Sequence, residues 1–535
     1  MSLEGLHLTR LALALVLIAA ALLLLMSASS ANVGWTTYNG NVSGNRYSPL
    51  SRINNTNVSG LKPLARILVP SEGGLETTPL VDGQTMFITS TNSVYTYSLP
   101  RVTPGWSFVR TPTTGVIQDA GTGINRGAAL GNGSVFLTTD NAHLLCLNES
   151  TGALQWETTM ADYRQNYGST AAPLYLAGLN LIVSGISGGD SGVQGFLAAW
   201  DATAGGNPLW QFYTTPSSPS DPLAATWGSG AVLPHGGGAT WMTGTFDTTS
   251  NTLYWGVGNP GPDMNGDSRQ GDNLYTSSVL AINPLGGALL WYFQFTPHGV
   301  WDYDGTATPM LVTTTWQGGP RNLLMHANRN GYFYVLDRGT GQYLSGFPFV
   351  TNLTWSTGLD ANGVPTVNQA AVPTTTGVQS CPALAGAANW QSTAYSPTTG
   401  YFYVQALENC SMFYKQANPV WQAGQEFPGG SARPVTGMVP IKHLRAINPR
   451  TGTIQWDYSQ KTNGRSMGGV LATGGGLVFV AEDTGYFTAL DAASGNVLWA
   501  WNVHAAWKAS PMTYQVNGQQ YVSIATPQAV YIFGL

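Results

Sequence analysis

The sequence predicts an all-β protein with the architecture of an eight-bladed β-propeller. Three observations favour this fold: a composition typical of short strands, a recurring strand-turn-strand motif, and a length beyond that of one ordinary core. The 535 residues include 66 glycines and only 9% charged residues, which suits many strands joined by tight turns. A chain of this length forms either several domains or one large closed repeat, and the recurring motif favours the repeat.

The recurring motif is an apolar strand, an Asp or Asn, a Gly-containing turn and a second strand that ends in Trp. Because a single hairpin cannot bury both of its faces, neighbouring sheets must stack, and the repeated Trp would supply apolar area between them. Seven copies and a terminal strand at 529–535 predict eight blades, with insertions in the longer intervals that build one face. The copies lie at 144–156, 197–210, 279–291, 444–456 and 487–499, with weaker ones at 94–106 and 334–344.

The amino end predicts export. Arg10 is followed by 16 apolar residues, from Leu11 to Met26, and then by small residues that end at Ala31. This order is typical of a secretion signal, and an uncleaved membrane anchor is the alternative. We therefore expect a signal or anchor at 1–31 and a propeller at 32–535 that lies in the periplasm or elsewhere outside the cytoplasm.

Charge and cysteine content exclude two further classes of function. The net charge is −5 and no basic run exists, so nucleic acid is not an expected partner. None of the three cysteines lies in a Cys-x-x-Cys-His motif, so the chain attaches no haem covalently and any electron acceptor must be a separate molecule. Cys381 and Cys410 could pair in an oxidising compartment, which would leave Cys146 as a buried thiol.

Oxygen-bearing side chains outside the repeat suggest a cation site. Asp302 and Asp304 stand two residues apart, so on an extended chain they share one side and could bind one ion. Asn259, beside a rigid Pro, could add an amide oxygen, and Asp190 adds charge to a run of small residues that lets backbone approach a flat ligand. Oxygen ligands suit calcium or a similarly hard ion of higher charge. Alternatively, each carboxylate forms a turn or cap, and Arg329 simply pairs with one of them.

Six segments together resemble the quinoprotein alcohol dehydrogenases, which depend on pyrroloquinoline quinone (PQQ), including methanol dehydrogenase large subunits. The resemblance runs in order from about Trp35 to Leu535. It implies a quinoprotein-type propeller that oxidises a small primary alcohol to the aldehyde by hydride transfer to metal-bound PQQ and passes electrons to a separate c-type cytochrome. The segments are WTTYNGNVSGNRYSPL at 35–50, LETTPLV around Glu76, GNPGP at Asn259, TPHGVWDYDG at Asp302, NRNGYFYVLDR at Arg329 and PMTY at Pro511.

The resemblance also implies roles for individual residues. Asp302 is implied as the general base and Arg329 as the cation beside the reactive carbonyl of the quinone. The implied metal ligands are Asn259, Asp302, Asp304 and Asp190, which stands where the family usually has a glutamate. Trp241 is implied as the aromatic floor beneath the quinone. The other residues expected around PQQ are Glu76, Arg126, Thr170, Ser187, Gly188, Gly189 and Asn389.

Asp304 bears on the identity of the metal. Relatives similar to lanthanide-dependent methanol dehydrogenases have an extra aspartate two residues after the base, where calcium enzymes have a small residue. A further carboxylate is costly around a dication and better compensated by a trication. The sequence therefore predicts a lanthanide ion, with calcium as the alternative.

Three departures from the family pattern concern the same pocket. Asp190 is one methylene shorter than the usual glutamate, and residues 119–122 (DAGT) replace the adjacent cysteines that many relatives have. Met467 stands where methanol dehydrogenases tend to have Trp. Cys381 and Cys410, in contrast, keep the family's spacing, which implies a disulfide.

Two other functions compete with the enzyme. The same repeat could form a non-catalytic propeller that binds proteins as an assembly scaffold, or a sensor that holds PQQ without turnover. The set Asp302, Asn259, Arg329, Trp241 and Arg126 favours the enzyme, because a scaffold has no reason to retain it. A homodimer and anchoring through the N-terminal segment stay open.

Overall fold

The fold is all-β, as the sequence predicts. The computed structural model describes residues 31–71, 73–121, 123–460, 468–482 and 485–535. The predicted signal, except for Ala31, and Met467 therefore lie outside the described residues. The helices in these ranges are short 3-10 turns at Val58–Gly60, Tyr163–Gln165, Ala177–Leu179, Gly189–Ser191, Pro222–Thr226 and Gln369–Ala371.

A search of the described ranges finds no helix long and apolar enough to cross a membrane.

Two early strands, β1 (Tyr47–Ser48) and β2 (Lys62–Leu68), precede a series of antiparallel sheets of four consecutive strands each. The first two sheets contain β3 (Leu80–Asp82), β4 (Thr85–Ser90), β5 (Ser93–Ser98) and β6 (Thr103–Phe108), then β7 (Ala129–Gly131), β8 (Ser134–Thr138), β9 (His143–Asn148) and β10 (Leu154–Thr159). The third contains β11 (Leu174–Leu176), β12 (Leu181–Gly185), β13 (Phe196–Asp201) and β14 (Gly205–Tyr213). The fourth contains β15 (Thr245–Asp247), β16 (Thr252–Gly256), β17 (Ser278–Ile282) and β18 (Leu289–Gln294), and the fifth β19 (Met310–Trp316), β20 (Gly319–Ala327), β21 (Tyr332–Asp337) and β22 (Tyr343–Pro348).

The longest predicted insertion, after residue 344, forms two small sheets around the sixth large one. The strands here are β23 (Ser356–Leu359), β24 (Pro365–Val367), β25 (Val378–Ser380), β26 (Ala394–Ser396), β27 (Tyr401–Glu408), β28 (Ser411–Lys415), β29 (Gly430–Pro434), β30 (Ile441–Ile447) and β31 (Ile454–Ser459). Strands β23 and β24 pair, β28 lies between β25 and β29, and the large sheet has the order β26-β27-β30-β31. The disulfide expected between Cys381 and Cys410 is present and links the end of β25 to the start of β28.

The last two large sheets bring both ends of the described chain together. They contain β32 (Val470–Thr473), β33 (Leu477–Ala481), β34 (Tyr486–Asp491) and β35 (Val497–Asn502), then β36 (Met512–Val516), β37 (Gln519–Ala525) and β38 (Ala529–Gly534). Strand β1 adds to the first of them in parallel with β32, and β2 completes the second by pairing antiparallel with β38. The described residues thus form eight sheets of four or five strands, the last of which contains strands from both ends.

The repeat contacts the next repeat as well as its own hairpin. In the turn after β9, Asn148 Oδ1 accepts a hydrogen bond from Thr151 N–H at 3.0 Å, and Gly152 adopts a φ of 72°, which suits glycine. The indole of Trp106, from the preceding sheet, donates to Glu149 O at 2.9 Å. A Cβ at position 152 would come within 2.4 Å of the Trp106 ring, so this glycine lets the indole lie against the turn. The core lies between sheets, for example where Val183, Leu253 and Leu280 form one buried cluster.

Candidate functional site

The candidate site is a cavity of about 170 Å³ built from loops at one edge of the sheets. Within an antiparallel sheet the first strand begins at the edge where the second strand ends. Loops that precede first strands and loops that follow second strands therefore meet at the same edge. The lining residues come from these two kinds of loop: Asp119, Gly121, Ile124, Arg126, Thr170, Ser187, Gly188, Gly189, Asp190, Ala239, Trp241, Asn259, Asp304 and Arg329.

Arg329 binds both aspartates of the TPHGVWDYDG segment. Its Nη2 donates to Asp302 Oδ2 at 2.7 Å and to Leu384 O at 2.7 Å, and its Nη1 donates to Asp304 Oδ2. All three charged side chains are buried. Asp302 has a φ of 61°, so the two carboxylates converge through a left-handed residue rather than along an extended chain as expected.

Asp302 keeps one oxygen for another partner. Its Oδ1 is buried and has no hydrogen-bond partner among the described residues. An unpaired buried carboxylate oxygen is costly, so a proton, a cation or a hydroxyl group would stabilise it. Burial raises the pKa of Asp302 to about 7, with Arg329 opposing the shift and Asp304 adding to it.

Asn259 is fixed at two points. Its backbone N–H donates to Asp304 Oδ1 at 2.8 Å, and its Nδ2 donates to Asp263 Oδ1 at 2.8 Å. Because the amide nitrogen is used by Asp263, the side-chain oxygen is the atom that could bind a cation. Asp263 is buried, and sequence reasoning missed it although it directly follows the GNPGP segment, four residues after Asn259.

Asp190 lies in the short 3-10 turn Gly189–Ser191, which follows β12. Burial, together with the negative charges of Asp263, Asp119 and Asp302, raises the pKa of Asp190 well above its usual value. Asp119, the second carboxylate that sequence reasoning did not assign, accepts a hydrogen bond from Ser191 Oγ at 2.9 Å. Burial raises the pKa of Asp119 to about 6. It stands in the 119–122 stretch that departs from the family pattern.

These carboxylates favour a cation in the cavity. Burial also raises the pKa of Asp263 well above its usual value, so several carboxylates of the cavity carry unfavourable charge together. Within the part of the chain that the structure describes, no three His, Cys, Asp or Glu side chains are already arranged to hold a metal ion. A cation here would therefore draw on the Asn259 oxygen as well as on carboxylates, two of which are bound by Arg329.

Arg126 lies between two indoles, of which Trp241 lines the cavity. The Arg126 guanidinium carbon lies 4.9 Å from the ring centroid of Trp241 and 4.9 Å from that of Trp390, which is favourable for a cation against an aromatic face. Its Nη1 donates to Thr170 Oγ1 at 2.5 Å, and its Nη2 lies 3.0 Å from Glu76 Oε2. Trp241 lines the cavity, so a flat ligand could stack on it.

Two glycines bring backbone to the cavity wall. Gly188 has a φ of 98°, and a Cβ there would lie 2.2 Å from Asn166 O, so no larger residue fits. Gly189 packs on Ala239, with 3.2 Å between a built Cβ and the Ala239 Cβ. Ser187 lies beside them and donates to Ala120 O at 2.5 Å.

The remaining expected residues lie outside the lining. Asn389 donates to Ala385 O at 2.9 Å and directly precedes Trp390, the indole that lies against Arg126. Glu76 contacts the lining residue Arg126, and Asp302 contacts the lining residue Arg329.

Comparison with known proteins agrees with this geometry. A family model described as the β-propeller domain of PQQ-type glucose/ethanol/alcohol dehydrogenases matches residues 35–348 and 442–522, more than half of the chain. The quinoprotein alcohol dehydrogenase PedH of Pseudomonas putida is 34% identical over 91% of this chain and 84% of its own. The dehydrogenase subunit of the quinone-dependent alcohol dehydrogenase of Acetobacter aceti is 34% identical over 92% of this chain and 70% of its own.

Solved structures show the same relationship. The quinohemoprotein alcohol dehydrogenase of Comamonas testosteroni superposes with a TM-score of 0.88 at 28% identity, covering 95% of this chain and 82% of its own. A europium-containing methanol dehydrogenase superposes with a TM-score of 0.86 at 27% identity, covering 95% and 99%. On its sequence, its fold and its carboxylate-lined cavity, the chain belongs to the family of PQQ-dependent quinoprotein alcohol dehydrogenases.

Proposed function

We propose that the chain oxidises a small primary alcohol to its aldehyde, with PQQ as the hydride acceptor. The observation that carries this proposal is the buried Asp302 carboxylate, which has one oxygen bound by Arg329 and the other without a partner in the described chain, beside an aromatic-walled cavity. A family of named alcohol dehydrogenases supports the same chemistry.

Asp302 would act as the general base. Its free Oδ1 accepts the hydroxyl proton of the alcohol while the carbon-bound hydrogen leaves as hydride, which needs a hydrogen bond between that oxygen and the hydroxyl group. Arg329 holds the other oxygen and so fixes the carboxylate in one orientation. Arg329 would also place positive charge beside the carbonyl oxygen of the quinone, which becomes negative in the transition state.

The cavity offers separate groups for the quinone and for its metal ion. Trp241, Arg126, Thr170 and the small residues 187–189 would hold the quinone, with Glu76 and Asn389 behind them. Asp190, Asn259, Asp302 and Asp304 would hold the ion. Bound PQQ supplies the two-electron acceptor, and the ion makes that acceptor more electrophilic.

We propose a lanthanide as the ion, with calcium as the alternative. Asp304 supports this choice because its Oδ1 and Oδ2 are both engaged by groups of the site, so it belongs to the cavity and adds charge there. Asp119 and Asp263 add two more carboxylates nearby, and a trivalent ion compensates such a cluster better than a divalent one.

We propose that the eight large sheets are the eight blades of the propeller and that tryptophans dock them. Four further indoles repeat the contact of Trp106 with the next repeat, each through an Nε1 hydrogen bond to a backbone oxygen. The pairs are Trp156 with Ala202 O, Trp210 with Pro284 O, Trp456 with Ala492 O, and Trp499 with Leu61 O. The last pair joins the seventh large sheet to the eighth, since Leu61 directly precedes β2.

The proposed setting is outside the cytoplasm, with a c-type cytochrome as the separate electron acceptor. The apolar stretch 11–26 and the absence of a haem-attachment motif in the sequence support this. The N-terminal segment is either a cleaved signal or a membrane anchor, and the chain is either a monomer or a homodimer. Neither choice changes the proposed chemistry.

Reconstitution tests the function. Purified chain is incubated with PQQ and either lanthanum or calcium, and oxidation of ethanol is followed by reduction of an artificial dye. Dye reduction with either metal supports the enzyme. PQQ binding without reduction would favour the sensor, and no binding of PQQ would favour the scaffold.

A further inference from the structure

The turn that carries Asp190 is held from outside by one loop, residues 416–428, which connects β28 to β29. Phe427 N–H donates to Asp190 O at 2.7 Å, and the indole Nε1 of Trp421 donates to Ser191 O at 2.9 Å. The next carbonyl, Gly192 O, lies 2.9 Å from His235 Nδ1, and the His235 ring stacks on Trp421 with 3.6 Å between centroids. Three consecutive carbonyls are thus bound, two of them by this loop.

The packing is as close as the hydrogen bonding. Gly192 has a φ of 69°, and a Cβ built there would lie 2.7 Å from Trp421 Cδ1 and 2.9 Å from Phe427 Cδ1. Asn166 connects the loop to the turn: its Oδ1 accepts from Gly424 N–H at 2.6 Å, and its Nδ2 donates to Ser191 O at 2.9 Å. The turn and the loop are therefore packed and hydrogen-bonded together.

The ends of the loop reach a second carboxylate segment. Met264 N–H donates to Pro428 O at 2.9 Å, and Asn265 Nδ2 donates to Gln416 O at 2.7 Å. These residues directly follow Asp263, which binds the amide of Asn259. The 416–428 loop thus ties the Asp190 turn to the segment that orients Asn259.

We propose that the 416–428 loop, through Trp421 and Phe427, positions Asp190 toward the metal ion and compensates for its short side chain. This inference rests on the proposed function, because it assumes that Asp190 is a ligand. An aspartate reaches one methylene less far than a glutamate, so its backbone must stand closer to the ion and must not drift. Trp421 and Phe427 are positioning residues, since they act on the ion through the turn.

The test measures metal binding and hydration rather than turnover. Eu³⁺ is titrated into the chain with PQQ, and luminescence lifetimes in H₂O and D₂O count the water molecules on the ion. For Trp421→Ala we expect the Eu³⁺ dissociation constant to rise about 10- to 100-fold, the usual effect of removing a group that orients a ligand. We also expect one additional water on the ion, which replaces the Asp190 carboxylate.

Two further variants make the test specific. Adding Asp190→Glu to Trp421→Ala is expected to restore affinity and hydration, because the longer side chain reaches the ion from a displaced turn. Trp501→Ala, a change at an exposed tryptophan of β35, serves as the matched control and is expected to bind Eu³⁺ like the unaltered chain.

Each outcome decides a different point. If the unaltered chain does not bind Eu³⁺ with PQQ, the proposed lanthanide site and the positioning role both fail, whereas calcium-dependent alcohol oxidation is decided by the reconstitution assay. If the unaltered chain binds but Trp421→Ala binds equally well with the same hydration, only the positioning role is overturned. If Trp421→Ala does not fold, Trp421→Phe decides, because it keeps the stack on His235 and loses the donor to Ser191, and an unchanged affinity and hydration there would overturn the role.

Discussion

Arg329 Nη2 lies 2.7 Å from Asp302 Oδ2, and this ion pair leaves the second oxygen of the carboxylate for a proton or a substrate. The same guanidinium also pairs with Asp304, so Arg329 contacts both the proposed base and the additional acidic residue. A single side chain thereby links proton removal to the proposed metal site.

Replacing Asp302 by Asn removes the proposed base and keeps the size of the side chain. We expect kcat for alcohol oxidation by Asp302→Asn to fall at least about 100-fold, since positioned acid-base groups contribute 10²- to 10⁴-fold. PQQ absorbance after gel filtration measures whether the quinone is still held, and we expect that it is. Asp162→Asn, at an exposed surface aspartate, is the control. Equal turnover by Asp302→Asn would exclude it as the base.

Asp304→Asn tests the choice of metal. The amide keeps an acceptor for Asn259 N–H but removes one negative charge from the cavity. Because charge count on the ligands tunes cation affinity, we expect La³⁺ to bind about tenfold or more weaker while Ca²⁺ binding changes less. Competition titration with PQQ present measures both. A parallel loss for the two ions would argue against a trivalent preference.

Removing Arg126 is expected to destabilise the fold as well as quinone binding. In Arg126→Met the buried Glu76 loses its 3.0 Å partner, with only Lys508 at 3.9 Å nearby. Removing one partner of a buried ion pair costs about 3–5 kcal/mol. We expect the free energy of unfolding in urea to fall by about this amount in the variant. The double variant Arg126→Met with Glu76→Gln should recover part of that loss. No recovery would mean that the stacking on Trp241 and Trp390 dominates.

His326 predicts an acid-dependent loss of stability. Burial lowers the pKa of His326 to about 3, and its ring stacks on Phe295 at 4.3 Å. The unfolded chain binds a proton here below about pH 6.5 whereas the folded one does not, so stability falls as the pH decreases from there toward 3. In His326→Phe the slope of unfolding free energy against pH should be smaller by up to about 1.4 kcal/mol per pH unit in this window. An identical slope in parent and variant would contradict the shift.

Reduction of the disulfide gives a separate test of the insertion. Cys381–Cys410 closes a loop with a sequence separation of 29, and Cys381 O accepts from Thr354 N–H at 2.9 Å. The pair Cys381→Ser with Cys410→Ser is expected to lower the free energy of unfolding by about 3 kcal/mol. Thermal unfolding of the unaltered chain with and without reductant should show the same direction.

Cys146, the buried free thiol, should stay unreactive toward thiol reagents in the folded chain.

The sequence predicts the all-β class and most of the cavity because both follow from local patterns. Four site residues stand just outside a recognisable strand: Asp190, Asn259, Asp304 and Arg329. Loops that precede first strands and loops that follow second strands share one edge of the sheets, which brings these residues together. The residues that sequence reasoning missed depend on long-range geometry. Trp421 contacts Ser191 across 230 positions, and neither segment carries a pattern that points to the other.

Backbone detail is also beyond the local pattern. Asp302, expected from the sequence on an extended chain, has a φ of 61°, and its carboxylate is paired with Arg329. Asp263 was missed because its contact with the site is a hydrogen bond from the Asn259 amide, whose orientation the sequence does not show. Asn389, which the resemblance places near the quinone, lies outside the cavity lining and directly precedes Trp390.

The pairing of β2 with β38 has a consequence for biogenesis. Residues 62–68 leave a ribosome or an export channel hundreds of residues before β38 does. Until then β2, which includes Ile67, has no partner strand. Such sequence-distant contacts make folding slow and leave unpaired edges exposed meanwhile. We therefore expect C-terminal truncations that remove β38 to fail to reach a protease-resistant state, because β2 then has no partner strand.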